Sequence, residues 1–377
     1  MRKFLLRSVL FIVPAILLLV PPFFALKTFG EVYTNVDNLI IEKKKYLIGY
    51  AYNEQNYGYL KWREVVSRKK ICVMALGSSR VLQFRENMFD SSFYNSGYTI
   101  RSIADFVPFL KSIPPKNYPS VLVIGLDQWM FNEKWDALSK KRPAVMQFNF
   151  RGSAPGVSSL AEVWHDLYHK RYSFREIVDG RNDPFITRIG INAVIKNTGF
   201  RNDGSMLYGR QISGLTRHDS TVQDFDFRNT RHRIRTGVER FEFGDKVNEK
   251  AVVELDSLLS FCQANHIYVV AFIPPFADGI QEAMEQCGKY EYIKDIYPRC
   301  RPVFQKFEFE LWDLNRLNTY NSNDSEVIDG FHGGEVTYLK MLIYMIEKGS
   351  RLKHYTNLEK LKADQDHKEN DYIVYPY

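Results

Sequence analysis

The dominant pattern in the chain is a series of short apolar runs separated by longer stretches with helical periodicity. Runs that are apolar at every position are typical of strands buried on both faces of a parallel sheet. Runs of this kind predict strands at residues 71–76, 121–126 and 267–273, and two further strands are predicted at residues 93–95 and 307–312. Their alternation with helices predicts an α/β fold with a doubly wound, mostly parallel five-stranded sheet of flavodoxin-like type.

Apolar residues at helical spacing predict the helices that connect these strands. Ile100, Ile103, Val107 and Leu110 would share one helix face, and the Pro114-Pro115 pair would end that helix. A helix is also predicted directly after the first strand. Further helices are predicted at residues 250–264, 280–286 and 335–346.

The alternation stops between Trp129 and Asn248, where short helices, loops and many aromatic residues are predicted. That stretch is too long for an ordinary connection between a strand and a helix. We therefore predict one α/β domain, residues 71–348, with an insertion at residues 130–248 that packs over the carboxyl edge of the sheet.

The regions outside this domain are polar or unpatterned. Residues 31–70 are predicted to be a tether with a helical stretch near residues 36–46. Residues 349–377 are predicted to form a polar tail that is loosely ordered until residues 372–377.

The N-terminus indicates a compartment. Arg2, Lys3 and Arg7 precede an uncharged stretch at residues 8–26, which is just long enough to cross a bilayer as a helix. We predict that residues 1–30 are a signal-anchor transmembrane helix in the inner membrane, with the rest of the chain in the periplasm. The alternative is a cleaved signal peptide, but no Ala-x-Ala site follows the apolar stretch.

Composition excludes some function classes. Hydrophobic residues make up 45% of the 377 residues and aromatic residues 15%, which predicts a sizeable core. The net charge of +7 is scattered along the chain and predicts no nucleic-acid partner. Cys72 and Cys262 lie in apolar patterns and are predicted to be buried thiols. Two interpretations are open for Cys287 and Cys300: they form a disulfide bond with each other, or both are free thiols.

Neither a metal site nor a cofactor is predicted. The chain contains no Cys-x-x-Cys and no His/Cys cluster with zinc spacing. His165 and His169 have a spacing that permits a metal pair on a helix, but no third ligand is near them in sequence. A packed aromatic helix is the favoured interpretation.

The strongest chemical signal is a serine directly after the first strand together with a late Asp-x-x-His sequence. Ser79 lies in the Gly77-Ser78-Ser79-Arg80 turn, and Asp329 and His332 follow the last predicted strand. A serine needs a base to take its proton and a carboxylate to orient that base. Either signal alone is weak, because Ser79 or Asp329 would also suit a helix N-cap. Asp313 is an alternative acid for His332.

These residues resemble the motifs of the SGNH (GDSL-like) hydrolase and acyltransferase superfamily. Gly77-Ser78-Ser79 matches its first block with Ser78 in the aspartate place, and Asp329 and His332 match its last block. The resemblance implies a Ser79-Asp329-His332 triad. It also implies an oxyanion hole that uses the amides of Ser79 and Gly97.

One block departs from this pattern. The family's Gly-x-Asn-Asp aligns with residues 125–128, which puts Asp127 where the family has an amide donor. An ionised carboxylate cannot donate to an oxyanion. Gln128 substitutes for the donor, or the amides of Ser79 and Gly97 suffice, or Asp127 has another role.

The N-terminal apolar stretch and the insertion are similar to membrane-anchored members of the superfamily, such as the alginate and peptidoglycan O-acetyltransferases and the D-alanyl-lipoteichoic-acid biosynthesis protein D. The resemblance implies an acyltransferase or esterase that acts on an envelope polysaccharide beside a multi-spanning membrane O-acyltransferase. The alternative is a catalytically silent carbohydrate-binding or assembly subunit.

Residues 199–240 contain arginines and no lysine, which suits the capture of carboxylates or phosphates. We predict that Asp127, Arg80, Arg201 and Arg210 contact the substrate. Ion pairing with nearby acidic residues is the favoured interpretation for any single arginine of the set. The set is Arg201, Arg210, Arg217, Arg228, Arg231, Arg233, Arg235 and Arg240.

Overall fold

The structure is a computed structural model that describes residues 2–138, 143–152, 156–179 and 185–377. For residues 2–9 and 11 it describes the backbone alone. The side chains of Arg2, Lys3 and Arg7, on which the predicted membrane topology depends, therefore lie outside the described part, as do three short segments of the predicted insertion.

The described residues form strands in two main sheets and one small hairpin. In chain order the strands are β1 (Tyr46–Ile48), β2 (Val73–Gly77), β3 (Phe93–Gly97), β4 (Val121–Gly125), β5 (Thr187–Ile189), β6 (Thr198–Phe200), β7 (Met206–Tyr208), β8 (Tyr268–Ile273), β9 (Glu310–Asp313), β10 (Val327–Asp329) and β11 (His332–Gly333).

The α-helices follow the same order. They are α1 (Arg2–Thr28), α2 (Asp37–Ile41), α3 (Asn56–Ser67), α4 (Phe106–Lys111), α5 (Val157–Tyr168), α6 (Phe174–Val178), α7 (Ile191–Lys196), α8 (Gly209–Thr216), α9 (Arg228–Thr236), α10 (Glu249–Ala264), α11 (Asp278–Cys287), α12 (Tyr292–Lys306), α13 (Glu335–Glu347) and α14 (Leu358–Asp366).

The larger of two compact units comprises residues 61–148, 203–205 and 211–377. Its sheet has the order β3-β2-β4-β8-β9, and all neighbouring strands are parallel. This confirms the predicted α/β class and the five-stranded parallel sheet. Every residue of β2, β3 and β4 is buried, as expected for strands covered on both faces.

The strand order defines where a ligand site is expected. The second strand of this sheet, β3, lies on one side of β2, whereas the third, β4, lies on the other. In such open sheets ligands bind beyond the carboxyl ends of the strands, at the point where the winding direction reverses. The turns after β2 and β4 lie at that point.

The smaller unit comprises residues 1–60, 149–202 and 206–210. Its sheet has the order β5-β1-β6-β7, in which β1 pairs parallel with β5 and antiparallel with β6. A separate apolar cluster includes Leu26, Phe29, Val163 and Ile191. The prediction of a tether at residues 31–70 is therefore wrong, because β1 forms ladder hydrogen bonds with strands of the predicted insertion.

Several predicted elements differ from the structure. The expected helix after β2 is only a 3₁₀ turn, and the helix near residues 36–46 is shortened to α2. The tail is ordered, since α14 begins at an Asn357 side-chain cap and buries Leu361. Helix α12, which contains Pro298 and Pro302, is absent from the prediction.

All four cysteines are free thiols, so Cys287 and Cys300 are unpaired. Cys262 is buried as predicted, and burial raises the pKa of its thiol to about 12, whereas Cys72 is half-buried. Among the described residues, no helix combines the length and apolar character that a membrane span requires.

Helix α10 offers a test of the core assignment. Leu258 is 0% exposed, whereas Val253 on the same helix is 64% exposed. We expect Leu258→Ala to lower the free energy of unfolding by about 2–5 kcal/mol, because it removes buried methyl groups and leaves a cavity. Val253→Ala should change it by less than about 0.5 kcal/mol. Urea denaturation of both variants checks this, and equal losses would contradict the assigned orientation of α10.

Candidate active site

Three neighbouring strands end in glycine at the carboxyl edge of the parallel sheet. A Cβ atom on Gly97 or Gly125 would lie 2.7 Å from a methyl group of Val81, and one on Gly77 would lie 3.0 Å from it. The absence of these side chains lets the chain after β2 fold down onto the ends of β3 and β4. Val81 fills the space that the glycines leave.

Ser79 begins a 3₁₀ turn that spans Ser79–Val81. Ser78 is extended, and its hydroxyl accepts a hydrogen bond of 3.1 Å from the amide of Arg80. The amide of Ser79 occupies the first helical position, where no intrahelical acceptor exists. This amide donates no hydrogen bond to any described residue, so it is available to an oxyanion.

Asp329 and His332 are paired across the short hairpin of β10 and β11. The carboxylate of Asp329 accepts hydrogen bonds of 2.9 Å from the amides of Phe331 and His332, which closes the turn. The N-cap of α13 is Gly334, so the interpretation of Asp329 as a helix cap is wrong. The tight turn brings the two side chains together.

The structure brings Ser79, His332 and Asp329 into one chain of hydrogen bonds. The Nε2 atom of His332 lies 2.8 Å from the Ser79 hydroxyl oxygen, and its Nδ1 atom lies 2.7 Å from Oδ2 of Asp329. The contact of Asp329 with Nδ1 favours it over Asp313, which ends the edge strand β9. This geometry allows His332 to take the serine proton while Asp329 fixes the ring orientation.

Asp329 is held in its ionised form. Burial by itself would raise the pKa of its carboxyl group, but the charge and hydrogen bond of His332 oppose this effect. The two backbone amides add to the stabilisation, and the net result is a pKa below the ordinary value. An ionised carboxylate is the form that can stabilise a protonated imidazole.

The guanidinium of Arg80 lies buried directly beneath this site. Its Nη1 atom donates to Oε1 of Gln128 at 2.6 Å, and its Nη2 atom donates to the carbonyl of Pro275. The ring of Trp129 packs against the guanidinium at 5.2 Å and that of Phe276 at 4.6 Å. Arg80 is 0% exposed, so the predicted contact with substrate is wrong; it ties the turn after β2 to the ends of β4 and β8.

Asp127 is also 0% exposed and cannot reach a substrate in this structure. Its Oδ1 atom lies 3.9 Å from Nη1 of Arg80. Burial raises the pKa of Asp127, and the charge of Arg80 is the largest effect in the opposite direction, with smaller ones from Ser78, Arg240 and His332. Asp127 is therefore a buried neighbour of Arg80, whose charge favours the ionised carboxylate against the effect of burial.

Two of the predicted oxyanion donors are already engaged. The amide of Gly97 donates to Oδ1 of Asn95 at 2.9 Å. The side-chain amide of Gln128 donates to the carbonyl of Pro274 at 2.7 Å, and its oxygen accepts from Arg80. Gln128 is fully buried, so it does not serve as a donor in this structure. The Ser79 amide is the predicted donor that stays open.

The two other predicted substrate contacts lie in the smaller unit. Arg201 is 2% exposed and donates to the carbonyl of Met206 at 3.3 Å. Arg210 forms an ion pair of 2.5 Å with Glu176. Such a pair is the structural role that the sequence favoured for any single arginine of this set.

Three further residues shape the site: the sequence reasoning missed Tyr338 and Phe331 and named Arg240 only as one member of the arginine set. Tyr338 on α13 donates its hydroxyl proton to the carbonyl oxygen of Arg80. The ring of Phe331 lies 4.3 Å from the ring of His332. The guanidinium of Arg240 lies within 6.0 Å of the Phe331 ring. Phe331 is the direct neighbour of His332, whereas the contacts of Tyr338 with Arg80 and of Arg240 with Phe331 join segments that are distant in the chain.

The histidine pair on the predicted aromatic helix is present, with the rings of His165 and His169 4.2 Å apart at the end of α5. Within the described ranges, no group of three or more potential metal ligands is found.

Comparisons of the chain with protein families, with curated proteins and with solved structures find no match.

The Arg80–Asp127 pair can be tested by a double-mutant cycle. Arg80→Met leaves Asp127 as an unbalanced buried carboxyl group and should lower the free energy of unfolding by about 3–5 kcal/mol. Adding Asp127→Asn removes that buried charge, so the double variant should be more stable than the sum of the single losses predicts. Urea denaturation of the four proteins measures the coupling, and strictly additive losses would show that the pair does not interact.

Asp329 predicts a pH dependence of stability. Because the pKa of this carboxyl group is lowered in the folded state, its contribution is fully present above the ordinary aspartate value of about 3.9. The contribution is lost as the pH falls through the lowered value. We expect Asp329→Asn to show a shallower loss of stability in that range than the wild-type chain. Denaturation curves between about pH 5 and pH 2 check this, with Asp366→Asn at an exposed position as the control; parallel curves for Asp329→Asn and wild type would contradict it.

Proposed function

We propose that this chain is a serine-dependent acyltransferase or esterase of the SGNH type that acts on a cell-envelope polysaccharide. The observation that carries the proposal is the continuous hydrogen-bonded series from Ser79 through His332 to Asp329. Its location beyond the carboxyl ends of β2 and β4, where open α/β sheets bind ligands, is a second support.

In the first half-reaction the Ser79 oxygen attacks the carbonyl carbon of an acyl ester or thioester. His332 accepts the serine proton on Nε2 and gives it to the departing alcohol or thiol as the bond to the acyl group breaks. The amide of Ser79 donates to the oxyanion that forms on the carbonyl oxygen. The product of this step is an acyl-Ser79 ester.

In the second half-reaction an acceptor hydroxyl attacks the acyl-Ser79 ester. His332 takes the acceptor proton and returns it to the serine oxygen as the ester bond breaks. A sugar hydroxyl as acceptor completes an O-acyl transfer, whereas water completes a hydrolysis. Both outcomes use the same residues, so the triad supports both.

The proposed setting follows from the N-terminal pattern and from the family resemblance. An uncleaved anchor at residues 1–30 would hold the catalytic unit at the periplasmic face of the inner membrane. The resemblance implies a multi-spanning membrane O-acyltransferase as the partner that supplies acyl groups.

A second candidate function is a carbohydrate-binding or assembly subunit without catalytic activity. The observation that favours it is the state of the predicted oxyanion donors, since the amides of Gly97 and Gln128 are engaged and Asp127 is buried. We rank this function second because a silent subunit has no need of the close contacts of His332 with Ser79 and Asp329.

Substitution of the proposed nucleophile and base tests the enzyme. Ser79→Ala and His332→Ala should each lower Ser79-dependent cleavage of a small acetyl ester by at least about 10³-fold, because the proton relay is broken. Ser79→Ala should also abolish labelling by a fluorophosphonate probe. Ser257→Ala, an exposed serine on α10, is the matched control and should retain both activities.

The result separates the two candidates. Covalent labelling that disappears with Ser79 supports the enzyme. Sugar binding that is the same in wild type and Ser79→Ala, together with no labelling of either protein, would support the silent subunit and reject the acyl-enzyme.

A further inference from the structure

The guanidinium of Arg240 lies among aromatic rings beside the proposed triad. Its central carbon is 5.5 Å from the Trp129 ring, 5.8 Å from the Trp135 ring and 6.0 Å from the Phe331 ring. Such contacts hold the flat face of an arginine through its positive charge. They leave the N–H groups along its edge free to donate to another molecule.

Arg240 forms no hydrogen bond or ion pair among the described residues. Its neighbour in sequence, Glu239, pairs instead with Arg233 at 2.9 Å. The charge of Arg240 acts to lower the pKa of Asp127, but the Asp127 carboxylate is fully buried and lies beside Arg80. A half-buried guanidinium without a carboxylate partner is a site that is ready to bind an anion.

The backbone at this point adds a second observation. Glu239 and Arg240 have positive φ angles of 53° and 80°, which side-chain-bearing residues adopt uncommonly. Such conformations persist only where the surrounding structure enforces them, and they concentrate at functional sites. Arg240 lies beyond the end of α9 at Thr236, with its guanidinium beside Trp129 and Phe331.

The position of the rings relates Arg240 to the reaction centre. Phe331 separates Asp329 from His332 in the chain, and its ring lies 4.3 Å from the imidazole that contacts Ser79. Trp129 covers the guanidinium of Arg80, the residue that follows Ser79. The Phe331 ring therefore lies between Arg240 and the imidazole of His332, and a group bound by Arg240 would be close to the proposed reaction centre.

We infer that Arg240 binds a negatively charged group, a carboxylate or a phosphate, on the sugar whose hydroxyl is acylated or deacylated at Ser79. The inference rests on the proposed function and specifies its substrate as an anionic glycan. The planar fork of arginine matches the two oxygens of such groups, and the aromatic rings exclude water from one side of the contact.

A binding experiment tests this without catalysis. Trp129 and Trp135 flank Arg240 and should report ligand binding through their fluorescence. In the Ser79→Ala variant we expect a tetrasaccharide of hexuronic acid or a sugar phosphate to bind at least about 10-fold more tightly than a neutral glucose tetrasaccharide. The two charged probes distinguish a carboxylate from a phosphate as the preferred group. Equal affinity for the charged and the neutral probes would overturn the inference.

Variants of Arg240 complete the test. Arg240→Asn removes the charge and suits the left-handed backbone, so it should weaken binding of the preferred anionic probe by about 10- to 100-fold. Arg240→Lys keeps the charge but not the fork and should give an intermediate loss. Arg235→Gln, an exposed arginine on α9, is the control and should bind as the Ser79→Ala parent does.

Esterase assays in the Ser79-containing chain separate this inference from the proposed function. Arg240→Asn should lower kcat/KM for an acetylated hexuronate at least about 10-fold more than it lowers kcat/KM for a neutral acetyl ester. An equal loss for both esters would overturn the anionic subsite while the enzyme assignment stands. Selective anion binding without any Ser79-dependent turnover would instead reject the enzyme and keep the subsite.

Discussion

The buried guanidinium of Arg80 is the interaction on which the candidate site depends. One side chain donates to Gln128 after β4 and to Pro275 after β8, while its own carbonyl accepts from Tyr338 on α13. Hydrogen bonds from a charged donor in a site without water are strong, and breaking one leaves a buried polar group unsatisfied. Because Arg80 follows Ser79 directly, these contacts set the position of the serine hydroxyl relative to His332.

The positions of Asp329 and His332 are set by the short β10–β11 hairpin. His332 and Asp329 lie on a two-strand hairpin, so their relative position depends on a tight turn and not on the long helix that follows. The turn is itself anchored, since the amide of Gly330 donates to Asp224 and its carbonyl accepts from Ala277. The triad therefore joins two locally rigid turns across one hydrogen bond between residues 253 positions apart.

The sequence predicts the parts of the structure that depend on local pattern. Three of the five strands come from continuous apolar runs, all five alternate with helices, and the resemblance points to Ser79, Asp329 and His332. Other parts depend on partners that are distant in the chain. Strand β1 has three residues and pairs with strands more than a hundred residues away, and the prolines Pro298 and Pro302 inside α12 are helix-breaking signals by local rules. Whether the amides of Gly97 and Gln128 face a substrate depends on Asn95 and Arg80, which no spacing reveals.

The aspartate at position 127 has a physical explanation in Arg80. An arginine after the serine brings a full positive charge into a region without solvent, and an unpaired buried charge costs several kcal/mol. An asparagine at position 127 would leave that charge unbalanced, whereas an aspartate lies 3.9 Å from it. Arg80 and Asp127 thus act together: Arg80 supports the serine turn, and the nearby Asp127 carboxylate offsets its buried charge. Arg80 and Pro274 engage the side chain of Gln128 and Asn95 engages the amide of Gly97, so Ser79 is left as the open predicted donor.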